Sequence, residues 1–281
     1  MADQRLAVAA ITIDFGNTLV RVDRPGLWDV IDATGTELAA RSIVRDHGAF
    51  VRIWAEERDR QFREEVPEFR EVDIPQRAVR VLARLRGMSP PPDDARWDDA
   101  AAGALVEPGE VDAVVDAYSG AFVAGMDPVA DASATLERLA ARGFALGILS
   151  NWPLAVTIDR FAEAHGWLPW LRAIVVSQRV GTIKPHPSIF RAAEAALGID
   201  GAGRNGILHV GDDWAADVVG AAGVGWRTAY LRNRQADTPL PTSAPGDDLA
   251  TGAVVVPDLI IDELSDLDGR VELATLAKAP G

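Results

Sequence analysis

The chain of 281 residues contains no cysteine, so neither disulfides nor metal sites with thiolate ligands can form. It also lacks any apolar run of about 18 residues, the length that a membrane-spanning helix needs. The polar start of the chain leads directly into a predicted strand, without the basic and apolar regions of a signal peptide. These absences predict a cytoplasmic protein that does not bind a membrane.

Basic charge is also scarce in this sequence. The formal net charge is −14 at pH 7, and Lys184 and Lys278 are the only two lysines. The basic surface that nucleic-acid-binding proteins need is therefore not expected, and nucleic acid is not a predicted partner. Arginine occupies the other cationic positions, so the one internal lysine, Lys184, needs a specific explanation.

Short segments rich in Val, Ile and Leu alternate with helical segments in the second half of the chain. The pattern predicts five strands, at 8–14, 144–149, 173–176, 206–210 and 228–231. Helices are predicted between the later strands, at 135–142, 154–165, 187–197 and 215–222. Such strand–helix units indicate an α/β fold with a parallel, doubly wound sheet. Between about 22 and 130 only helical spacing is found, which predicts a helical module inserted after the first strand.

Polar residues follow the predicted strands along one edge of the sheet. In chain order they are Asp14, Ser150, Asn151, Lys184, Asp212, Asp213 and Asp217. Each has an ordinary interpretation when taken alone, such as a helix cap for Asp14 or a surface charge for Lys184. The carboxyl ends of parallel strands form the ligand-binding edge of an open α/β sheet, however. Acids, a hydroxyl and a lysine at that edge therefore favour a common functional site.

The segments that carry these residues resemble the motifs of the haloacid dehalogenase superfamily, a group of hydrolases with an aspartate nucleophile. They are Asp14–Leu19, Leu149–Asn151, Gly181–Phe190 and Gly211–Asp217. The resemblance extends over the whole chain, and it implies a Rossmann-like core formed by 1–21 and 130–281 with a type-1 helical cap formed by 22–129. It also implies a Mg²⁺-dependent phosphatase that acts on a small phosphorylated metabolite through an aspartyl-phosphate.

The resemblance further implies a role for each residue. Asp14 would be the nucleophile, and Lys184 would place positive charge against it and against the transferring group. Ser150 and the backbone of Asn151 would donate hydrogen bonds to the phosphoryl oxygens, and Asp213 and Asp217 would hold a metal-bound water or orient Lys184. The Mg²⁺ site would be formed by Asp14, the backbone carbonyl of Gly16 and Asp212, with Asp213 beside them.

Gly16 departs from the family pattern, because family phosphatases usually carry an aspartate there that protonates the leaving group. Acid–base catalysis of this kind contributes about 10²–10⁴-fold. Three interpretations stay open. The protein is a slow phosphatase or one for good leaving groups, a cap residue such as His47 or Asp46 supplies the proton, or the protein binds a phosphate ester without turnover. If the missing acid limits the rate, Gly16→Asp is expected to raise activity on poor leaving groups.

Two other branches of the same family also lack this acid. A 2-haloacid dehalogenase-type hydrolase attacks carbon and needs neither the acid nor a metal, so it is the main enzymatic alternative. The acidic sequence Gly211–Asp213 favours metal binding and weighs against it. Phosphonatases use a lysine of the cap, and their branch is disfavoured because residues 22–129 contain no lysine.

Overall fold

The computed structural model describes residues 5–199, 201–232, 237–240, 243–245 and 255–274. Its strands are β1 Leu6–Val8, β2 Ala10–Ile13, β3 Ala145–Ser150, β4 Leu171–Val176, β5 Ile207–Gly211, β6 Arg227–Leu231, β7 Leu259–Ile261 and β8 Val271–Leu273. Six of them form a parallel sheet in the order β4-β3-β2-β5-β6-β7, and β1 pairs with β8 in a separate two-stranded sheet. The prediction of an α/β fold with a parallel sheet is confirmed.

Residues 22–130, between β2 and β3, contain five α-helices. They are α1 Arg24–Ala40, α2 His47–Glu65, α3 Ile74–Leu85, α4 Asp99–Gly103 and α5 Glu110–Gly125. The first three begin at aspartates, Asp23, Asp46 and Asp73, whose side chains accept a hydrogen bond from a backbone N–H of the first turn. Residues 22–130 are all described and contain no β-strand, as predicted. The division into a core and a cap stays a prediction.

The remaining helices flank the sheet. They are α6 Ala132–Ala141, α7 Ala155–Ala164, α8 Ser177–Val180, α9 Pro187–Leu197, α10 Gly220–Gly223 and α11 Leu267–Arg270. The central strand β2 is buried at every residue, as expected for a parallel strand that is covered on both faces. In the register of the sheet, Ile13 pairs with Ile148 of β3 and with Val210 of β5. The residues that end these three strands therefore meet at one edge.

Several predicted elements differ from the observed ones in detail. The predicted strand 8–14 is divided at Ala9, whose N–H bonds the carbonyl of Gly206, so that β1 pairs with β8 while β2 enters the main sheet. The strands β7 and β8 were missed, because three residues are too short to show a period. The predicted helix 215–222 is a π-helical turn, Trp214–Val219, followed by α10.

The end of the chain lies largely outside the described residues. Residues 233–252 are polar and rich in Pro, Asp and Thr, which predicts a loop, and only part of that segment is described. The last residues, 276–281, are predicted to be frayed and lie outside the described ranges. Within the described ranges, no helix combines the length and the apolar character that crossing a membrane requires.

Candidate active site

The structure brings together side chains from the ends of three strands. Asp14 follows β2, Ser150 ends β3, and Asp212 follows β5. Lys184 reaches the same edge from the loop between α8 and α9. All four are buried, with exposed fractions of 8% for Asp14, 1% for Ser150 and 3% for Asp212 and for Lys184. The sequence prediction that these residues share one place in the fold is confirmed.

Lys184 is held at the centre of the cluster by three acceptors. Its Nζ donates to Asp14 Oδ1 at 2.8 Å, to Asp217 Oδ1 at 2.6 Å and to the carbonyl of Leu149 at 2.9 Å. Burial by itself lowers the pKa of Lys184, but the two carboxylates outweigh that effect and raise the pKa above its ordinary value. The lysine is therefore a buried, charged member of the site and not a solvated surface residue.

The two carboxyl groups beside Lys184 differ in acidity. Burial raises the pKa of Asp14 to about 6; Asp217 adds to the rise, and Lys184 opposes it. Burial acts on Asp217 too, but Lys184 and His209 outweigh it and hold the pKa of Asp217 well below its usual range. Lys184 and His209 thus favour the ionised form of Asp217, whereas ionisation of Asp14 depends on positive charge at the site.

Asp217 is fixed from several sides. Its Oδ1 lies 3.0 Å from His209 Nε2, and the N–H of Asp213 donates to its Oδ2 at 3.0 Å. His209 Nδ1 in turn lies 2.9 Å from Thr12 Oγ1, and burial lowers the pKa of this histidine. Sequence reasoning missed His209, because a single histidine within an apolar strand resembles any core residue. The role of Asp217 as the group that orients Lys184 agrees with these contacts.

Position 211 has to be glycine because it lies against the carboxylate of Asp217. A Cβ at this position would lie 2.0 Å from Asp217 Oδ2, which is far inside van der Waals contact. Any larger residue at 211 therefore displaces the carboxylate that orients Lys184.

Three carboxylates form the acidic part of the cluster. Ligand oxygens of Asp14, Asp212 and Asp217 all lie within 4.8 Å of one another, and such oxygens suit a hard divalent cation. Both oxygens of Asp217 accept hydrogen bonds, while Asp14 Oδ1 accepts from Lys184 and Asp212 Oδ1 accepts from Thr18 Oγ1 at 3.3 Å. Asp213 contributes its side chain elsewhere, as an acceptor for the N–H of Ala216 at 3.0 Å and for Ser243 Oγ at 2.5 Å.

Ser150 and Asn151 have distinct surroundings. Ser150 Oγ is buried and has no hydrogen-bond partner in the part of the chain that the structure describes. A buried hydroxyl without a partner is unfavourable, and an anion bound at this edge would supply one. The side-chain amide of Asn151 bonds the backbone of Lys184 twice, accepting from its N–H at 2.7 Å and donating to its carbonyl at 3.0 Å. Asn151 thereby positions the lysine.

The space beside Gly16 is filled by other side chains. A Cβ at Gly16 would lie 2.5 Å from Leu240 Cδ1 and 3.3 Å from Trp152 Cζ3. The neighbouring Asn17 has a left-handed backbone, with φ of 58°, and its Nδ2 donates to Thr238 Oγ1 at 2.8 Å. Residues after β6 therefore cover the loop that follows Asp14. Sequence reasoning missed this contact, because nothing local relates Leu240 to position 16.

The two residues considered as proton donors, His47 and Asp46, make contacts within the inserted helices. His47 Nε2 lies 3.1 Å from the carbonyl of Asp32 and 3.3 Å from its carboxylate. Asp46 accepts from the N–H of Ala49 at 2.9 Å and starts α2. Both stabilise the turn between α1 and α2.

A loop of the inserted helices contacts the strand-end edge instead. The N–H of Ile183 donates to the carbonyl of Phe69 at 3.0 Å, and the N–H of Ile74 donates to the carbonyl of Pro153 at 3.1 Å. Between them, Glu71 Oε2 accepts from Ser177 Oγ at 2.5 Å. Burial raises the pKa of Glu71 to about 7. Sequence reasoning missed Glu71, which belongs to no motif.

The raised pKa of Glu71 predicts how the stability of the protein depends on pH. That pKa is about 7 in the folded protein against an ordinary value of 4.5, so the unfolded chain loses this proton first as the pH rises. The free energy of unfolding of the wild type therefore falls between those two values. As the pH rises from about 5 to 8, we expect the free energy of unfolding of Glu71→Gln to increase by about 2 kcal/mol relative to that of the wild type. Urea unfolding at both pH values checks this, and identical pH profiles for the two proteins contradict it.

Comparisons with known proteins agree with this geometry. The family model "haloacid dehalogenase-like hydrolase" matches residues 8–225. Ribulose-1,5-bisphosphate 5-phosphatase of Halopiger xanaduensis is 32% identical over 124 residues, which are 44% of this chain and 50% of that protein. Glyceraldehyde 3-phosphate phosphatase of Pyrococcus abyssi is 33% identical over 130 residues, 43% of this chain and 50% of that protein. The chain thus spans about half the length of the curated relatives it matches.

A solved structure gives the same fold. The 2-haloacid dehalogenase of Pseudomonas syringae pv. tomato superposes with a TM-score of 0.60 at 22% identity, over 93% of this chain and 96% of that one. The family match covers most of the chain and includes the strand-end residues described above. The chain belongs to the haloacid dehalogenase-like hydrolase family.

Proposed function

We propose that this protein is a phosphatase that hydrolyses phosphate monoesters of small metabolites through an aspartyl-phosphate on Asp14. The observation that carries the proposal is the buried cluster in which Lys184 Nζ bonds both Asp14 and Asp217 while Asp212 lies within reach of the same point. Phosphoryl transfer needs a positioned nucleophile and neutralised oxygens in a dry site, and this cluster supplies both. The curated relatives, which are phosphatases of sugar phosphates by name, support it.

Each of the buried strand-end residues has a separate role in the reaction. Asp14 Oδ attacks phosphorus, and Lys184 neutralises charge on the nucleophile and on the phosphoryl oxygens. Ser150 Oγ, for which the described residues offer no hydrogen-bond partner, donates to a phosphoryl oxygen. Asn151 and Asp217 keep Lys184 in place through the contacts described above.

The acidic residues fit a resident Mg²⁺ ion. Asp14, Asp212 and the carbonyl of Gly16 would hold it, with Asp213 nearby as an outer partner. When bound, the ion neutralises negative charge so that a carboxylate and a phosphoryl group can approach each other. The acid cluster also favours a phosphatase over a 2-haloacid dehalogenase-type hydrolase, because attack on carbon needs no metal.

A panel of substrates tests the proposal. Purified protein is offered sugar phosphates, glycerol phosphate and nitrophenyl phosphate, with Mg²⁺ or with a chelator, and chloropropionic acid as the haloacid. We expect phosphate release that depends on Mg²⁺ and no halide release. Metal-independent halide release would show a dehalogenase, and saturable binding of phosphate esters without turnover would show a binding protein. The same panel identifies the preferred partner among small phosphorylated substrates.

The Gly16→Asp variant is expected to lose activity, in contrast to the expectation from sequence alone. An aspartate side chain needs the space that the end of the Leu240 side chain and the ring of Trp152 fill, so these side chains have to move before the acid can reach the leaving group. The double variant Gly16→Asp/Leu240→Ala removes the obstacle. We expect it to hydrolyse alkyl phosphates about 10-fold faster, or more, than Gly16→Asp does, because an acid then reaches the leaving group. The control is Leu240→Ala alone. Higher activity for Gly16→Asp than for the wild type contradicts the steric argument.

A further inference from the structure

We propose that His209 is a positioning residue for the phosphoryl transfer. It donates its Nε2–H to Asp217, and Asp217 therefore holds Lys184 without drawing the positive charge away from Asp14. The inference rests on the proposed phosphatase function and adds a residue that lies outside the four sequence motifs. It is carried by an unbroken line of buried hydrogen bonds that leads from Thr12 to the nucleophile.

The line of contacts is short at every step. Thr12 Oγ1 lies 2.9 Å from His209 Nδ1, and His209 Nε2 lies 3.0 Å from Asp217 Oδ1. The same Oδ1 accepts from Lys184 Nζ at 2.6 Å, and Lys184 Nζ donates to Asp14 Oδ1 at 2.8 Å. All five side chains are buried, so water competes little for these bonds. His209 is thus joined to the nucleophile through two side chains.

The partners of His209 decide which of its nitrogens carries the proton. The ionised carboxylate of Asp217 can only accept, so a hydrogen bond at 3.0 Å requires a proton on Nε2. With the proton on Nδ1 instead, the lone pair of Nε2 would face a carboxylate oxygen. The hydroxyl of Thr12 completes the arrangement by donating to Nδ1 at 2.9 Å, because its other acceptor, the carbonyl of Leu208, is 3.5 Å away. His209 therefore donates to Asp217.

The ring of His209 is held in this orientation by aromatic neighbours. Its centroid lies 6.0 Å from that of Phe190 and 6.5 Å from that of Trp226, with interplanar angles of 87° and 72°. These edge-to-face contacts restrict rotation of the ring and keep Nε2 directed at Asp217. Burial lowers the pKa of His209, and the charge of Lys184 acts in the same direction, so the ring is a neutral donor.

This second donor changes the effect of Asp217 on Lys184. Without His209, the charge on Oδ1 of Asp217 would act on the ammonium group alone. The imidazole N–H satisfies part of that oxygen, and the N–H of Asp213 occupies Oδ2 at 3.0 Å. The ammonium group then stays available to Asp14 and to the phosphoryl oxygens, where charge develops in the transition state. We therefore expect His209 to affect the rate of transfer more than the binding of the ester.

His165 shows how a histidine packs elsewhere in this protein. Its ring lies against those of Phe161 and Trp167, with centroids 4.2 and 5.8 Å apart. Helix α7 begins beside the strand-end edge and ends at His165, about 15 Å further along the helix axis. The two histidines share aromatic packing, but His209 has a polar partner at each nitrogen. His165 is therefore the matched control.

The first test compares variants on two esters. We expect His209→Phe, which keeps the aromatic packing but has no donor, to lower kcat about 10–10²-fold for glycerol phosphate and nitrophenyl phosphate alike. KM should change by no more than about 3-fold, because the lost interaction acts in the transition state. His209→Gln places an amide N–H close to the position of Nε2 and should bring kcat to within about 5-fold of the wild type. His165→Phe should change neither constant.

The second test observes the ring without turnover. Nuclear magnetic resonance of protein with isotope-labelled histidine nitrogens distinguishes a protonated nitrogen from a bare one. The chain has four histidines, and the signals of His209 are those that His209→Gln removes. Near neutral pH we expect a neutral ring with its proton on Nε2. A proton on Nδ1, or exchange between the two tautomers, overturns the inference.

Each kinetic outcome decides between explanations. Equal kcat for His209→Phe and the wild type overturns the role of His209 while leaving the phosphatase intact. A kcat of His209→Gln as low as that of His209→Phe does the same, because it shows a need for the ring and not for the donor. A wild type that hydrolyses neither ester overturns the proposed function itself. If His209→Phe does not fold, the spectrum of the wild type decides.

Discussion

Replacing Asp14 by Asn is expected to abolish phosphate release while leaving the fold intact. The amide cannot attack phosphorus, so turnover should fall by about 10⁴-fold or more on every ester, whatever its leaving group. Stability should be retained or improved near neutral pH, because the substitution removes a carboxylate whose pKa burial raises to about 6. Lys184 keeps Asp217 as its counter-charge at 2.6 Å.

Two measurements check this prediction. Phosphate release is followed on the ester panel with Mg²⁺, and thermal unfolding is compared at about pH 8. The control is Asp116→Asn, an exposed carboxylate that pairs with Arg160 and should alter neither quantity. Residual activity of Asp14→Asn close to that of the wild type would show that another group is the nucleophile.

Replacing Lys184 by Met is expected to remove both activity and stability. The variant leaves Asp14 and Asp217 buried together without the ammonium group that bonds each of them. Removing one partner of a buried ion pair typically costs about 3–5 kcal/mol, because the remaining charge is uncompensated. Part of this cost can be relieved by protonation of Asp14, whose pKa is already raised, but a protonated Asp14 is no longer a nucleophile. Activity is therefore lost even in the molecules that fold.

Urea unfolding and ester hydrolysis together test the Lys184→Met prediction. Arg179→Met is the matched control, since Arg179 pairs with Asp159 at the surface of the nearby helix α8. Exposed pairs of this type contribute about 1 kcal/mol or less. A Lys184→Met protein as stable as this control contradicts the buried charge cluster.

Most of the site could be predicted from sequence because its residues lie at strand ends. An apolar run that ends in a polar residue is a local pattern, and the parallel sheet then brings the ends of β2, β3 and β5 to one edge. Asp14, Ser150 and Asp212 were found in this way, whereas Lys184, in the loop after α8, was notable as the one internal lysine. The helical nature of 22–130 was likewise visible, because its apolar residues recur at helical spacing.

Other features depend on contacts between distant parts of the chain. Leu240 meets Gly16 across more than two hundred residues, and no local pattern relates them. Glu71 lies between two helices with the composition of any surface loop, and only its contact with Ser177 makes it notable. The raised pKa of such a group is a property of burial, which appears only when the chain is folded.

The inserted helices are attached to the rest of the molecule by two unlike sets of contacts. On one side, Phe122 of α5 packs against Phe15 and Trp152 in a cluster of aromatic rings, with ring centroids 6.2 and 5.3 Å apart. On the other side, the loop with Glu71 is joined to the strand-end edge by a few hydrogen bonds. The aromatic contacts are buried and apolar, whereas the hydrogen bonds of the other side are contacts that water can replace. We therefore expect any opening of the insert to begin at the loop with Glu71 and to leave the aromatic contacts of α5 in place.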